Sequence, residues 1–261
     1  MTTEDIIIAI FCSVDDGMGD LPKRSNAKLY PSELVTIGIL FALKGSSFRA
    51  FYRWLKRDYA GLFGGLPERT RLQRLLRDHQ EWTDRLLETA TLFTVVDSFP
   101  IELIFPIRAG RSTQQIGKKN RDKGRWSIGI KLCWILNSLG RVVGWTWLPM
   151  NAPDQDFHAE IEKLRDQTIT LSDWGFRRAA GVPDNLKLCP KGSWNERMMI
   201  ETSFSLLTVV CHLKKLFHRV AAYIEAHLAY TAAMFNVLLA LYHQYHPDAP
   251  DHKLSIAEFS L

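Results

Sequence analysis

The chain has 261 residues, 46% of them hydrophobic, enough to bury a substantial core and too many for a disordered or fibrous protein. A formal charge of +5 and a pI near 9.0 suit a polyanionic partner without requiring one. The four cysteines, Cys12, Cys133, Cys189 and Cys211, stand far apart with no C-x-x-C pair, the pattern of reduced thiols in a cytoplasmic protein rather than of a zinc site or a disulfide framework.

The N-terminal stretch "MTTEDIIIAIF" carries Glu4 and Asp5 ahead of a short apolar run, which argues against a secretory signal. Residues 1–88 read as an all-α region, broken where Gly17, Gly19, Pro22 and Asn26 cluster. "PSELVTIGILFALKG" predicts a helix opening at Pro31 and Ser32. "SSFRAFYRWLKRDYAGLFGG" predicts a second, with Arg49, Arg53, Lys56 and Arg57 opposite its apolar side. "PERTRLQRLLRDHQEWTDRLLE" predicts a third, which displays Arg69, Arg71, Arg74 and Arg77. Two readings stand: a helix-turn-helix-like DNA module, or a helical bundle whose arginines only meet solvent.

From Thr91 the hydrophobic period changes. "TLFTVVDS" predicts a strand that emerges at Asp97, and "RAGRSTQQIGKKNRDKGRW" predicts a basic loop suited to lie along phosphates. "RWSIGIKLCWILN" and "VVGWTWLPM" predict a hairpin turned at Asn137 to Gly140. A short helix over "FHAEIEKLRD" precedes "TITLSDWGF", a strand ending at Asp173, and "LKLCP" reads as a fifth strand. "SWNERMMIETSFSLLTVVCHLKKLF" predicts one long helix with Arg197 and Glu201 on the same face. Val220 to Tyr242 is long enough to span a bilayer, but Glu225, His227 and Asn236 interrupt it, which favours a helix buried against a sheet. The expected architecture is therefore an α/β domain over residues 89–247, a mixed five-stranded sheet flanked by helices, behind the all-α region and ahead of a loose tail over 248–261.

If the first and fourth strands are neighbours, Asp97 and Asp173 emerge together and the long helix brings in Glu201. Three converging carboxylates persist only when cations neutralise them, which outlines a magnesium site. Taken singly each has a plainer role: Asp97 and Asp173 as turn or helix caps, Glu201 as a solvated side chain. Asp154, Asp156 and His158 are further ligand candidates, and Trp174 and Phe176 are candidates for stacking on an unpaired base. His243 and His246 share a helix face but lack a third zinc ligand.

"VVDSFPI", "LSDWGF" and "NERMMIETSFSLL" resemble, in order and spacing, the three blocks of a DDE transposase from a bacterial insertion sequence, closest to the insertion-sequence family numbered 982. "PSELVTI", "RWSIGIKL" and "LPMNAPDQD" extend the likeness over about residues 30 to 242. The resemblance implies an RNase H-like core. It implies that Asp97, Asp173 and Glu201 hold two Mg2+ ions, with Mn2+ able to substitute, and that the enzyme cuts DNA at the element's terminal inverted repeats and joins it to target DNA. The DNA contacts expected are Arg108, Arg111, Lys118, Lys119, Arg121, Lys123, Arg125, Lys131, Arg197, Lys214 and Lys215, in a homo-oligomer assembled on DNA away from any membrane. Arg197 and Glu201 match the centre of a Tyr-Arg-Glu-Lys signature of neighbouring families, but Trp194 and Thr208 stand where its Tyr and Lys would be. Those departures keep two alternatives open: a degenerate or domesticated DNA-binding protein without catalysis, and a nuclease of the same fold.

Overall fold

Among the described residues, six strands make one open mixed sheet: β1 (Phe93–Ile104), β2 (Lys118–Asp122), β3 (Arg125–Asn137), β4 (Val142–Pro149), β5 (Ile169–Ser172) and β6 (Leu186–Leu188). The computed structural model describes residues 1–122, 125–190, 192 and 197–261, so Lys123, Trp194 and Glu196, the rival to Glu201 five residues before it in the sequence, lie outside the described residues. β1 runs between antiparallel β3 and parallel β5, and β6 continues parallel beyond β5. β2 and β4 share the remaining edge of β3, β2 along Arg125–Gly129 and β4 along Ile130–Leu136.

The helices are α1 (Thr3–Met18), α2 (Pro31–Lys44), α3 (Phe48–Asp58), α4 (Arg69–Asp78), α5 (His158–Glu162), α6 (Arg197–Val209) and α7 (Ala221–Tyr245). A capping box between Thr2 and Asp5 starts α1. At the start of α2, the buried Glu33 accepts from the N–H groups of Tyr30 (2.6 Å) and Gly64 (2.8 Å). Every residue of α2 from Pro31 to Leu43 is buried, because α1, α3, α4 and α7 all pack around it.

α5, with the 3-10 turn Asp154–Phe157 before it, covers one face of the sheet, where Phe157 and Ile161 pack with Val96, Cys133 and Ile135. The other face, with Val95, Ile101, Leu132 and Trp134, shares one continuous core with α6, α7 and the N-terminal helices. The change at residue 88 is thus a change from helix to strand, while apolar packing runs straight across it. Of all the helices only α7 is by itself long and apolar enough to cross a membrane, among the described residues, and 89% of its most apolar stretch is buried inside the protein. Asn236, in the middle of α7, explains its own presence there. Its Oδ1 accepts from Val142 N–H (2.7 Å), and its Nδ2 donates to the carbonyls of Leu86 (3.0 Å) and Val142 (2.9 Å).

Four expectations are corrected. β1 does not end at Asp97 but continues to Ile104, because β3 offers paired backbone along its whole length. The basic loop contains a strand: β2 carries Lys118, Lys119 and Arg121, making six strands rather than five. α6 ends at Val209, and after His212, whose φ is 53°, the chain returns to β1, where Glu102 N–H donates to Lys214 O (3.0 Å). The segment 248–261 is not loose, since Ile256 and Phe259 are fully buried in the main core.

Candidate active site

β5 accompanies β1 for only three pairs, Phe93 with Ile169, Thr94 with Thr170 and Val95 with Leu171. The hydroxyls of Thr94 and Thr170, 3.0 Å apart, lock this register. Extended by two residues, the same register sets Asp97 level with Asp173, just where β5 turns away into the 3-10 turn Trp174–Phe176. Asp97 shares the side of β1 that carries Val95, Phe99 and Ile101, the face toward α6 and α7. α6 is held there by Phe204, whose ring stacks on Phe99 at 5.0 Å, and by the buried Ile200 and Leu207.

Arg197, the first residue of α6, reaches all three predicted carboxylates. Its Nη1 lies 3.1 Å from Asp173 Oδ2, its Nε 2.9 Å from Glu201 Oε1, and its Nη2 3.8 Å from Asp97 Oδ2. The second oxygen of each aspartate is fixed locally. Asp97 Oδ1 accepts from Ser98 N–H (2.7 Å) and Asp173 Oδ1 from Gly175 N–H (2.8 Å). Both plain roles are therefore real, and each leaves one oxygen free to point at the shared centre.

The electrostatics agree with the geometry. Burial pushes the Asp97 carboxyl up to about 6; the Ser98 N–H and Arg197 oppose the rise, and the charges of Asp173 and Asp154 add to it. Burial works against the Arg197 charge, but the hydrogen bond to Glu201 and the charges of Asp97 and Asp173 outweigh it and raise the guanidinium pKa.

A fourth carboxylate flanks the site. Lys131 Nζ donates to Ala152 O (2.8 Å) and to Asp154 Oδ1 (3.0 Å), so this lysine is turned inward and spoken for, not displayed to a phosphate as predicted. A side chain on Gly175 would press on both Asp173 and Asp154, which accounts for the glycine in "SDWGF". The acidic "NAPDQDFH" block was the one sequence signal for Asp154; that Lys131 is its partner had none. His158 is structural, its Nε2 bonded to Phe176 O at 2.7 Å, and Phe176 is core, whereas Trp174 remains half exposed with Arg177 over its ring. His246 pairs with Glu258 rather than with His243.

The basic residues fall into separate groups. Lys118, Lys119 and Arg121 are exposed on β2, where Lys119 and Arg121 flank the Trp126 ring, and Arg125 pairs with Glu102 at 3.2 Å. Lys118 is level with Gly129 of β3, and Asp97 is level with Trp134. Five residues of strand put the start of this hairpin about 17 Å along the sheet from the carboxylates, not directly beside them. Arg108 and Arg111 line a cavity of about 490 Å³ with Arg219. Lys214 is exposed, and Lys215 lies over the Phe105 ring, 3.2 Å from its centre. A further group, Arg49, Arg53, Lys56, Arg57 and Arg69, surrounds an open cleft of about 830 Å³ between α3 and α4.

All-carboxylate donors suit Mg2+ or Mn2+ better than softer metals. Two aspartate oxygens and one glutamate oxygen already meet at one cation, so the residues fit a divalent ion. Among the described residues no three such side chains stand ready as a closed ligand set, and the Arg197 guanidinium lies between Asp173 and Glu201. No protein-family model and no curated protein matches this chain.

Proposed function

We propose that this protein is a magnesium-dependent DNA transposase of the DDE type with an RNase H-like core. The observation that carries the reading is the convergence of Asp97, Asp173 and Glu201 on one cation at the point where β5 leaves β1. The strand order, with β3 antiparallel to β1 and β4 antiparallel to β3 on one side, and β5 and β6 parallel to β1 on the other, supports the RNase H-like core. Exposed basic groups on the β2–β3 hairpin and in the α3–α4 cleft support duplex DNA as the partner, both terminal inverted repeats and target. Handling two DNA ends calls for a homo-oligomer on DNA, in the cytoplasm.

In this reading Asp97, Asp173 and Glu201 hold two Mg2+ ions, or Mn2+ in their place. Such ions supply charge stabilisation to the attacking and leaving oxygens of an in-line displacement at phosphorus. Ser98 and Gly175 N–H groups keep each aspartate turned so that one oxygen stays on the site. Two displacements follow. A water oxygen bonds to phosphorus as the P–O3′ bond breaks, leaving a 3′-hydroxyl. That hydroxyl oxygen then bonds to a target phosphorus, and the target's own 3′-oxygen departs with a proton.

Two observations favour a second reading, a DNA-binding protein without catalysis. Arg197 already pairs with all three carboxylates, and the Thr208 hydroxyl is committed to Phe204 O at 2.8 Å. Duplexes carrying the DNA that flanks the coding sequence separate the possibilities. We expect Mg2+-dependent nicking by the wild-type protein, none by Asp97→Asn, and similar DNA retention by both in a gel-shift assay. Cleavage retained in Asp97→Asn would overturn the assignment, and cleavage without strand transfer would reduce it to a nuclease.

A further inference from the structure

Asp97 and Asp173 each commit Oδ1 to a backbone N–H and turn Oδ2 toward Arg197, while Glu201 offers Oε1 to the same guanidinium. The centre of the site is thus held by a side chain of the protein. A divalent ion binds carboxylate oxygen at roughly 2.0 to 2.6 Å, well inside the 2.9 and 3.1 Å at which Arg197 meets Glu201 and Asp173. Guanidinium and ion therefore compete for the same oxygens. Charge points the same way: three carboxylates and one guanidinium leave a net negative charge that invites a stronger cation, and once divalent ions are bound the guanidinium is repelled. Arg197 is placed to leave, since it opens α6 and its side chain is 30% exposed.

We propose that Arg197 is a displaceable counter-ion, holding Asp97, Asp173 and Glu201 together before metal arrives and expelled from them when it binds. Metal loading and release of the guanidinium toward a DNA phosphate are then one event. Arg197 is a positioning residue in this scheme, acting through the carboxylates. The inference rests on the reading of those carboxylates as a metal site, and its test is built on metal affinity rather than activity.

Mn2+ binding, followed by electron paramagnetic resonance on the protein without DNA, reads the competition. Arg197→Gln removes the competing charge and is expected to bind Mn2+ about tenfold tighter or more, since like charges a few ångströms apart repel strongly in a partly buried site. Arg197→Lys keeps the charge and is expected to stay near wild type. Asp97→Asn is expected to lose the binding. A merely structural Arg197 would do the reverse, because its loss would loosen the carboxylates and weaken Mn2+. Equal or weaker binding by folded Arg197→Gln overturns the inference, while Mn2+ bound by wild type and lost in Asp97→Asn leaves the metal site standing. No Mn2+ binding by wild type or Arg197→Gln overturns both. Should Arg197→Gln fail to fold, the Nε–H resonance of Arg197 in the unaltered protein replaces it: Mg2+ is expected to shift it and end its protection by Glu201, and an unchanged resonance at saturating Mg2+ overturns the inference.

Discussion

Asp97 and Asp173 lie at the same level of two neighbouring parallel strands, one continuing as strand and the other turning away. The register Thr94–Thr170 and Val95–Leu171, carried forward two residues, makes them opposite each other. β1 keeps going because β3 supports it, and the end of β5 opens the space that Arg197 enters.

The raised Asp97 carboxyl gives a pH signature. Its folded value of about 6 lies above the ordinary value near 4, so the native state binds the extra proton between these limits and stability falls as pH rises through that window. The effect is complete above pH 6 and amounts to about 3 kcal/mol at most. Asp97→Asn is expected to raise the melting temperature of the metal-free protein at pH 7.5, with the gain vanishing near pH 4. A gain of the same size at both values would show that burial of a charge at Asp97 is not its source.

Asn236 links α7, β4 and the turn after α4 through three hydrogen bonds. Asn236→Ala strips the Val142 N–H and the Leu86 carbonyl of their partner, while the Val142 carbonyl keeps the Glu88 N–H at 3.0 Å, a loss of about 2 to 4 kcal/mol. Urea unfolding measures it, and a loss below about 1 kcal/mol would mean that water replaces the amide.

Gly38 of α2 packs against the ring of Tyr230, whose hydroxyl donates to Leu76 O at 3.0 Å. A methyl group at Gly38 would drive into that ring, so Gly38→Ala is expected to destabilise by about 1 to 3 kcal/mol despite the better helix propensity of alanine. In a Tyr230→Ala background the same change is expected to be neutral or stabilising. Additive losses in the double mutant would refute the clash.

Duplex DNA binding should separate the basic side chains that sequence reasoning grouped. Changing Lys118, Lys119 and Arg121 to Gln together is expected to weaken binding and to reduce the salt dependence by about 0.9 in logarithmic slope for each phosphate no longer neutralised. Lys131→Gln is expected to leave the slope unchanged and to lower thermal stability, because it strips Asp154 of its partner. A reduced slope in Lys131→Gln would place that lysine on the DNA after all.

The helices of residues 1–88, the β3–β4 hairpin and the positions of α5 and α7 were legible in the sequence, because each writes its own hydrophobic period and end signals locally. Arg197 and Glu201 on one face followed from helical spacing alone. The polar residues that interrupt the α7 stretch argued against a membrane span, but nothing local named Val142 and Leu86 as the partners of Asn236. What only the tertiary structure decided is pairing between distant segments. β5 stands beside β1 rather than β4, the basic hairpin lies along the sheet from the carboxylates, and Lys131 turns to Asp154. The tail packs on the core for the same reason: burial depends on which surfaces meet, and Ile256 and Phe259 carry no local sign of theirs. The meeting of Asp97 with Asp173 across 76 residues was conditional in the sequence on strand adjacency, and that adjacency is a property of the whole sheet.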